Sequence, residues 1–166
     1  MAKIKVYIII IISFLLFSCC IYRHDGISYL SFKFHKHKTY FIELENQFLY
    51  NKIDSINDFY QLYGGRGAFE QATGIAVLQI SFNSSSEKNK CNRIDIVTGS
   101  KLSSGYIYYS DDNILDTVIY YAEQLSSVDS SIDVEVDKLS EHWMCYNCNK
   151  EVPIAILIRN NFNWSD

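Results

Sequence analysis

The sequence has little proline, with Pro153 as the single example among 166 residues. A proline-rich stalk is therefore excluded. The chain also lacks low-complexity linkers and internal repeats of the kind that build solenoids. After the N-terminal apolar segment, polar and apolar residues are mixed throughout the sequence, as in globular proteins. We therefore expect residues 27–166 to form a single domain.

The common sequence motifs of catalytic and phosphate-binding sites are also missing. The chain contains neither the G-x-S-x-G elbow of many hydrolases nor the G-K-[S/T] of a phosphate-binding loop. Residues 65–67, Gly-Arg-Gly, begin like a dinucleotide-binding motif, but Glu70 stands where its third glycine should be. This stretch therefore predicts a turn with positive φ angles. We expect no cofactor and no enzymatic activity.

Charge of one sign is in modest excess. The chain has 15 basic and 19 acidic residues, a net charge of −4. If Lys3 and Lys5 are removed with a signal peptide, the balance becomes 13 minus 19, or −6. Phosphate backbones require a basic stripe, so nucleic acid is not an expected partner. The same balance argues against binding of the folded surface to an anionic bilayer, and it suits a basic protein partner.

The acidic residues of one segment alternate with apolar ones. Asp133, Glu135 and Asp137 resemble a ladder of calcium ligands, but the glycine that an EF-hand loop requires does not follow them. Alternation of this kind is typical of a strand with one solvated face. We therefore interpret these carboxylates as the exposed face of a strand.

Three cysteines of the predicted domain suggest a disulfide. In an exported protein, Cys91 would form a bridge with Cys145 or Cys148. A local bridge between Cys145 and Cys148, and fully reduced thiols, are the alternatives. The C-x-x-C spacing of the last two is also found in redox enzymes, but the strand-to-helix junction of those sites is missing.

Histidines add two arrangements that could bind a metal. His142, Cys145 and Cys148 form H-x-x-C-x-x-C, which supplies three ligands. His35 and His37 would place two imidazoles on one face of a strand and would need further partners. Zinc takes about four ligands, and thiolate sites are less expected where thiols oxidise. No metal is therefore predicted.

Short strands dominate the predicted secondary structure. The hydrophobic patterns favour an α+β fold with a mainly antiparallel sheet and about two helices. Residues 27–44 are predicted to form a β-hairpin. The helices are predicted near residues 52–63 and within residues 110–127, where Asp111 or Asp112 can act as the N-terminal cap. Further strands are predicted in GIAVLQISF, RIDIVTG, GYIYYS, SIDVEVDKL, HWMCYN and PIAILIRN.

The N-terminus combines two lysines with twelve mostly apolar residues, 6–17. This layout is that of a secretory signal and is short for a membrane-spanning helix. The segment Leu16-Phe17-Ser18-Cys19 resembles the lipobox of bacterial lipoproteins in Leu16, Ser18 and Cys19, whereas Phe17 departs from it. The resemblance implies cleavage before Cys19 and a lipid on its thiol. An uncleaved anchor and an ordinary cleaved signal are the alternatives.

These features divide the chain into a signal peptide (1–18), a lipidated tether (19–26) and the domain (27–166). The resemblance implies a protein anchored in the cell membrane or the outer membrane, with its domain outside the cytoplasm. We expect it to act by binding a protein, in the manner of an inhibitor or immunity protein. The alternatives are a structural lipoprotein of the envelope, and an exported hydrolase or thiol-redox protein.

Overall fold

Helices cover both faces of an antiparallel sheet. The computed structural model describes residues 26–50, 52–65, 67–83, 92–98 and 103–162. These residues form six helices and five strands, an α+β fold. In chain order the elements are α1 (Ile27–Lys36), α2 (Lys38–Leu49), α3 (Ile56–Leu62), α4 (Ala68–Thr73), β1 (Val77–Asn83), β2 (Arg93–Thr98), β3 (Ser104–Tyr109), α5 (Asp112–Val128), β4 (Val134–Lys138), β5 (Trp143–Cys148) and α6 (Ile154–Asn161).

The predicted N-terminal apolar segment, residues 6–17, lies outside these ranges. Within the described part of the chain, no helix combines the length and the hydropathy that crossing a membrane requires.

The sheet has the strand order β1-β2-β3-β5-β4, and every neighbouring pair is antiparallel. This finding confirms the predicted mainly antiparallel sheet, and its five strands correspond to the predicted segments GIAVLQISF, RIDIVTG, GYIYYS, SIDVEVDKL and HWMCYN. β3 lies at the centre, and all six of its residues are buried. β1 and β4 form the two edges of the sheet.

Alternate residues of the strands contribute to two hydrophobic cores, one on each face. On one face, Tyr106 and Trp143 pack against α1 to α4, and on the other, Ile107 and Met144 pack against α5 and α6. Since successive residues of a strand point to opposite faces, this arrangement follows directly from the sequence of β3 and β5. The central strands of the sheet are therefore buried on both faces.

The prediction of about two helices is wrong, because the described residues contain six. The main error concerns residues 27–44, predicted as a hairpin and found as α1 and most of α2. Aromatic and hydroxyl residues gave this region the composition of a strand. Its buried residues nevertheless recur at intervals of three, four and seven positions, as a helix requires: Leu30, Phe34, Phe41, Leu44 and Phe48.

The segment PIAILIRN is the second such error, since it forms helix α6 rather than a strand. Pro153 lies immediately before the helix, where its fixed φ and missing N–H are well tolerated. Ile154 and Ile158, one helical turn apart, are the residues that α6 buries. The run of apolar residues was too short to separate a strand from a helix by periodicity alone.

Other helical predictions are closer to the structure. The helix predicted near residues 52–63 is the shorter α3, and helix α4, which was not predicted, directly follows the predicted turn at residues 65–67. Helix α5 is confirmed, with the Asp111 carboxylate accepting a hydrogen bond of 2.9 Å from the backbone N–H of Asn113. Leu115, Val118, Ala122 and Leu125 form its buried stripe.

The helical layer can be tested with two phenylalanines on α1 and α2. Phe41 is fully buried, whereas 59% of the Phe32 side chain is exposed. We expect Phe41→Ala to lower the free energy of unfolding by about 3–5 kcal/mol, because it removes a buried ring and leaves a cavity. The matched change Phe32→Ala should cost no more than about 0.5 kcal/mol. Urea denaturation measures both, and equal losses would contradict the helical assignment.

Candidate functional site

The two cysteines of β5 lie on opposite faces of the sheet. Cys145 belongs to the core under α1 to α4, and Cys148 belongs to the core under α5 and α6. Both are free thiols and both are buried. Burial raises the pKa of the Cys145 thiol, and the nearby Asp137 raises it further. A thiol in such surroundings carries little thiolate at neutral pH, so this geometry does not favour redox chemistry.

The predicted bridges of Cys91 involve a residue outside the described ranges, as do Cys19 and Cys20. The described neighbour of Cys91 is Asn92, whose backbone exchanges hydrogen bonds with Ser110 at one end of the sheet. The backbone N–H of Cys148 bonds to the carbonyl of Ser103 at the other end. A bridge from Cys91 to Cys145 or Cys148 stays a prediction.

The histidine-containing arrangements are separated by the fold. Because Cys145 and Cys148 point to opposite faces, they cannot contact one ion together with His142. His35 lies in the last turn of α1 and His37 caps that helix, rather than sharing one face of a strand. Among the described residues, no group of three or more His, Cys, Asp or Glu side chains could hold a metal ion.

The glycine-rich connection before α4 is the turn that the sequence predicts. Gly64, Gly65 and Gly67 have φ angles of 85°, 121° and 87°. Residues with side chains rarely adopt these values, so the glycines serve the path of the backbone. Arg66 lies outside the described residues.

A partly buried ion pair on β2 was missed by the sequence analysis. The Nε atom of Arg93 lies 2.9 Å from Oδ2 of Asp95, and the two side chains are 33% and 14% exposed. The second carboxylate oxygen of Asp95, Oδ1, is buried without a hydrogen-bond partner. Burial raises the pKa of the Asp95 carboxyl, while the Arg93 guanidinium acts in the opposite direction. The feature of the sequence that could have revealed this pair is the two opposite charges, two positions apart, in the otherwise mostly apolar segment RIDIVT.

Aromatic side chains surround this ion pair. Arg93 forms a hydrogen bond with the side chain of Tyr109. Tyr146 lies across the sheet, and burial together with the nearby Asp95 raises the pKa of its hydroxyl. Its ring passes close to Gly105, where an added Cβ would lie 3.1 Å from Cε1. The arrangement can accept one more hydrogen bond at Asp95.

The acidic residues are concentrated in one part of the chain. Between positions 111 and 141 there are nine Asp and Glu residues and one Lys, so the formal charge is 1 − 9, or −8. This one segment accounts for nine of the 19 acidic residues in the chain. All but Asp129 are exposed: Asp111, Asp112, Asp116, Glu123, Asp133, Glu135, Asp137 and Glu141. The predicted solvated face of Asp133, Glu135 and Asp137 is thereby confirmed.

Four of these residues, Asp116 and Glu123 on α5 and Glu135 and Asp137 on β4, define what we call the acidic surface. An ion pair between Asp116 and Lys138 joins α5 to β4. Val134 and Val136 of β4 pack against α5, so Glu135 and Asp137 point to the other side of the strand. β4 is an edge strand, and carboxylates therefore lie on both sides of an edge that pairs only with β5 within the described sheet.

Comparison with known proteins adds no assignment: no family model, no curated protein and no solved structure matches this chain. The acidic surface and the Arg93–Asp95 pair are therefore interpreted from their own chemistry.

The raised pKa of Asp95 predicts a specific pH dependence. Since its pKa in the folded state exceeds the ordinary 3.8, the contribution of this carboxyl to stability is complete below that pH. The contribution is lost as the pH rises through the folded-state pKa. Asp95→Asn cannot titrate. The free energy of unfolding of the wild type should therefore fall, relative to this variant, as the pH rises above about 4.

Asp129 provides a control of the opposite sign. Hydrogen bonds from Ser131 lower the pKa of the Asp129 carboxyl. Its stabilising contribution is therefore present above the ordinary pKa and is lost as the pH falls. In urea denaturation, Asp129→Asn should weaken the protein less as the pH is lowered. Parallel pH curves for the two variants would contradict the burial that we describe for Asp95.

Proposed function

We propose that this protein is a lipoprotein of the cell envelope that is anchored by Cys19 and acts by binding another protein. The observation that carries the binding part is the acidic surface along the β4 edge. We propose further that the partner is a basic protein and that binding neutralises it, as an inhibitor or immunity protein does. Its place is the cell membrane or the outer membrane, with the domain outside the cytoplasm.

The anchoring part is supported by the N-terminal sequence. Twelve apolar residues follow two lysines, and Leu16, Ser18 and Cys19 match the lipobox pattern. Each methylene group of an acyl chain that enters the bilayer contributes about 0.8 kcal/mol, so two or three chains would hold the protein firmly. Six residues separate Cys19 from Gly26, where the described structure begins. A tether of this length keeps the domain close to the bilayer.

The binding part is supported by the distribution of charge. Asp116 and Glu123 are exposed on α5, and Glu135 and Asp137 are exposed on the edge strand β4. Between positions 111 and 141 the sequence has one Lys and no Arg, and that residue, Lys138, is paired with Asp116. Exposed like charges contribute little to folding. They do accelerate association with a partner of opposite charge and exclude partners of the same charge. An edge strand also presents backbone groups that a partner strand can pair with, so charge and geometry favour the same surface.

The lipid attachment can be tested directly. In bacteria grown with radiolabelled palmitate, we expect the wild type to incorporate label, Cys19→Ala to incorporate none and Cys20→Ala to remain labelled. The adjacent cysteine is the matched control, since it differs from the predicted acceptor by one position. Gel autoradiography of the purified protein measures the result. Label that persists in Cys19→Ala, or a wild type without label, would refute the anchor.

The binding surface can be tested by charge reversal. We expect Glu135→Lys combined with Asp137→Lys to reduce the association rate with a basic partner about tenfold or more at low salt. Glu43→Lys combined with Glu70→Lys is the matched control. Both of those acids are exposed on α2 and α4, and the net charge changes by the same amount. The partner is identified by crosslinking in intact cells, and the rates are measured by surface plasmon resonance.

The two double variants separate a specific surface from a general effect of charge. Equal losses in both would show that net charge alone governs association. Unchanged rates in both would refute the acidic surface as the binding site. Only a loss confined to the β4 variant supports the proposal.

A further inference from the structure

Helix α1 presents cations and an exposed aromatic ring on its outer side. The residues that we call the basic aromatic face are Phe32, His35 and Lys36 of α1 together with Lys38, the first residue of α2, and all four are exposed. Phe32 is 59% exposed, which is high for so large an apolar side chain. From residue 26 to residue 42 the sequence contains no Asp or Glu. This stretch is therefore uniformly basic in a chain whose net charge is −4.

The orientation of this face is fixed by the opposite side of the helix. Leu30 and Phe34 are buried against the sheet, so Phe32 and Lys36 must point outward. The Nζ atom of Lys36 lies 5.9 Å from the centre of the Phe32 ring, so an ammonium group and an aromatic ring are side by side. Lys33 is not part of this face, because its Nζ donates a hydrogen bond of 2.8 Å to the carbonyl of Thr73.

The position of α1 in the chain indicates what covers this face. Seven residues, 20–26, lie between Cys19 and Ile27, the first residue of α1. A chain of seven residues spans at most about 25 Å when fully extended. If Cys19 carries the lipid, the basic aromatic face is therefore held within reach of the bilayer surface. Its positive charge is complementary to anionic headgroups, and its exposed ring suits the interface below them.

We infer that the basic aromatic face lies on the anionic membrane that holds the lipid, with Phe32 in the interface and Lys36 and Lys38 against the headgroups. The inference rests on the proposed lipid anchor. The surface of an anionic membrane favours each nearby lysine by a factor of about five, so two well-placed lysines favour this orientation by up to roughly thirtyfold. That is too little to recruit a free protein firmly, but it is ample to orient one that is already tethered.

This orientation has a consequence for the acidic surface. Helix α5 packs on the sheet face opposite α1, so its outer side points away from the membrane. Tyr120 is on this outer side and is 58% exposed. Asp116 and Glu123 are exposed on the same helix and would face the compartment from which a partner arrives. The anchor would thus hold the domain in an orientation in which this part of the acidic surface is accessible.

Tryptophan introduced at either of two positions can test the orientation. In the full-length lipidated protein carrying Trp164→Phe, tryptophan is introduced by Phe32→Trp or, as the control, by Tyr120→Trp. The two positions are matched in exposure, and Trp143 remains as a constant buried background. Each protein is reconstituted into vesicles of phosphatidylcholine and phosphatidylglycerol whose acyl chains carry bromine, which quenches tryptophan that enters the interface.

We expect emission from the tryptophan at position 32 to be quenched several-fold more than emission from position 120. Adding Lys36→Glu and Lys38→Glu, or using vesicles of phosphatidylcholine alone, should remove the difference. Retention on the vesicles after a high-salt wash is measured in parallel, because it reports the anchor separately. Protein that is retained but quenched equally at both positions would overturn the orientation alone. Protein that is washed away with Cys19 intact would overturn the proposed anchor and the orientation with it.

Discussion

The packing of four aromatic rings fixes the helical layer on the sheet. Phe41 of α2 lies 4.7 Å from Phe34, 4.9 Å from Tyr106 and 5.2 Å from Trp143, measured between ring centres. Such contacts between α1, α2, β3 and β5 add directional preference to the burial of large apolar area. The outward direction of the other side chains of α1 follows from this cluster, and so does the position of the surface that we assign to the membrane.

Two of these rings, those of Tyr106 and Trp143, carry a polar group, and each of these groups donates a hydrogen bond to a helix. The Tyr106 hydroxyl donates to the carbonyl of Leu30 at 3.0 Å, and Nε1 of Trp143 donates to Glu45 at 3.0 Å. Without these partners, burial of the hydroxyl and the indole N–H would be unfavourable. These directional contacts with the sheet therefore fix the positions of α1 and α2, in addition to burying their apolar side chains.

The sequence allowed the sheet to be predicted better than the helices in front of it. Strands such as β4 alternate apolar and charged residues, and that period of two is visible without any knowledge of the partner strand. Helices α1 and α2 are rich in aromatic and hydroxyl residues, and their composition competes with their helical spacing. Contacts with the sheet decide that competition, and such contacts are not local in sequence.

The candidate sites divide in the same way. The acids of β4 were visible in the sequence because their alternation is local. Arg93 and Asp95 lie in a strand that was predicted, but their pairing was not recognised. Their burial depends on residues of β3 and β5, such as Tyr109 and Tyr146, which are distant in sequence. The separation of Cys145 from Cys148 required only the assignment of a strand through both residues, which the predicted strand HWMCYN did not reach.

Net charge is an average that conceals the arrangement of charges. A mildly acidic chain argues against contact with an anionic bilayer, yet α1 and the first turn of α2 carry only basic charges. The opposing acids lie mainly between positions 111 and 141, and those of α5 are on the other side of the sheet. At physiological ionic strength, charges more than about 8 Å apart are largely screened from each other. Each surface is therefore expected to interact according to its own charge.

The two edges of the sheet differ in a way that bears on how the protein would bind a partner. β1, with the sequence VLQISFN, carries no charge, and its register with β2 shifts between Val77 and Gln79. An irregularity of this kind disturbs further pairing at that edge. β4 is regular, but Glu135 and Asp137 would face the same carboxylates in a second copy of the chain. Like charges disfavour such self-association, whereas a basic strand would meet no such barrier, so the β4 edge remains open to the kind of partner that we propose.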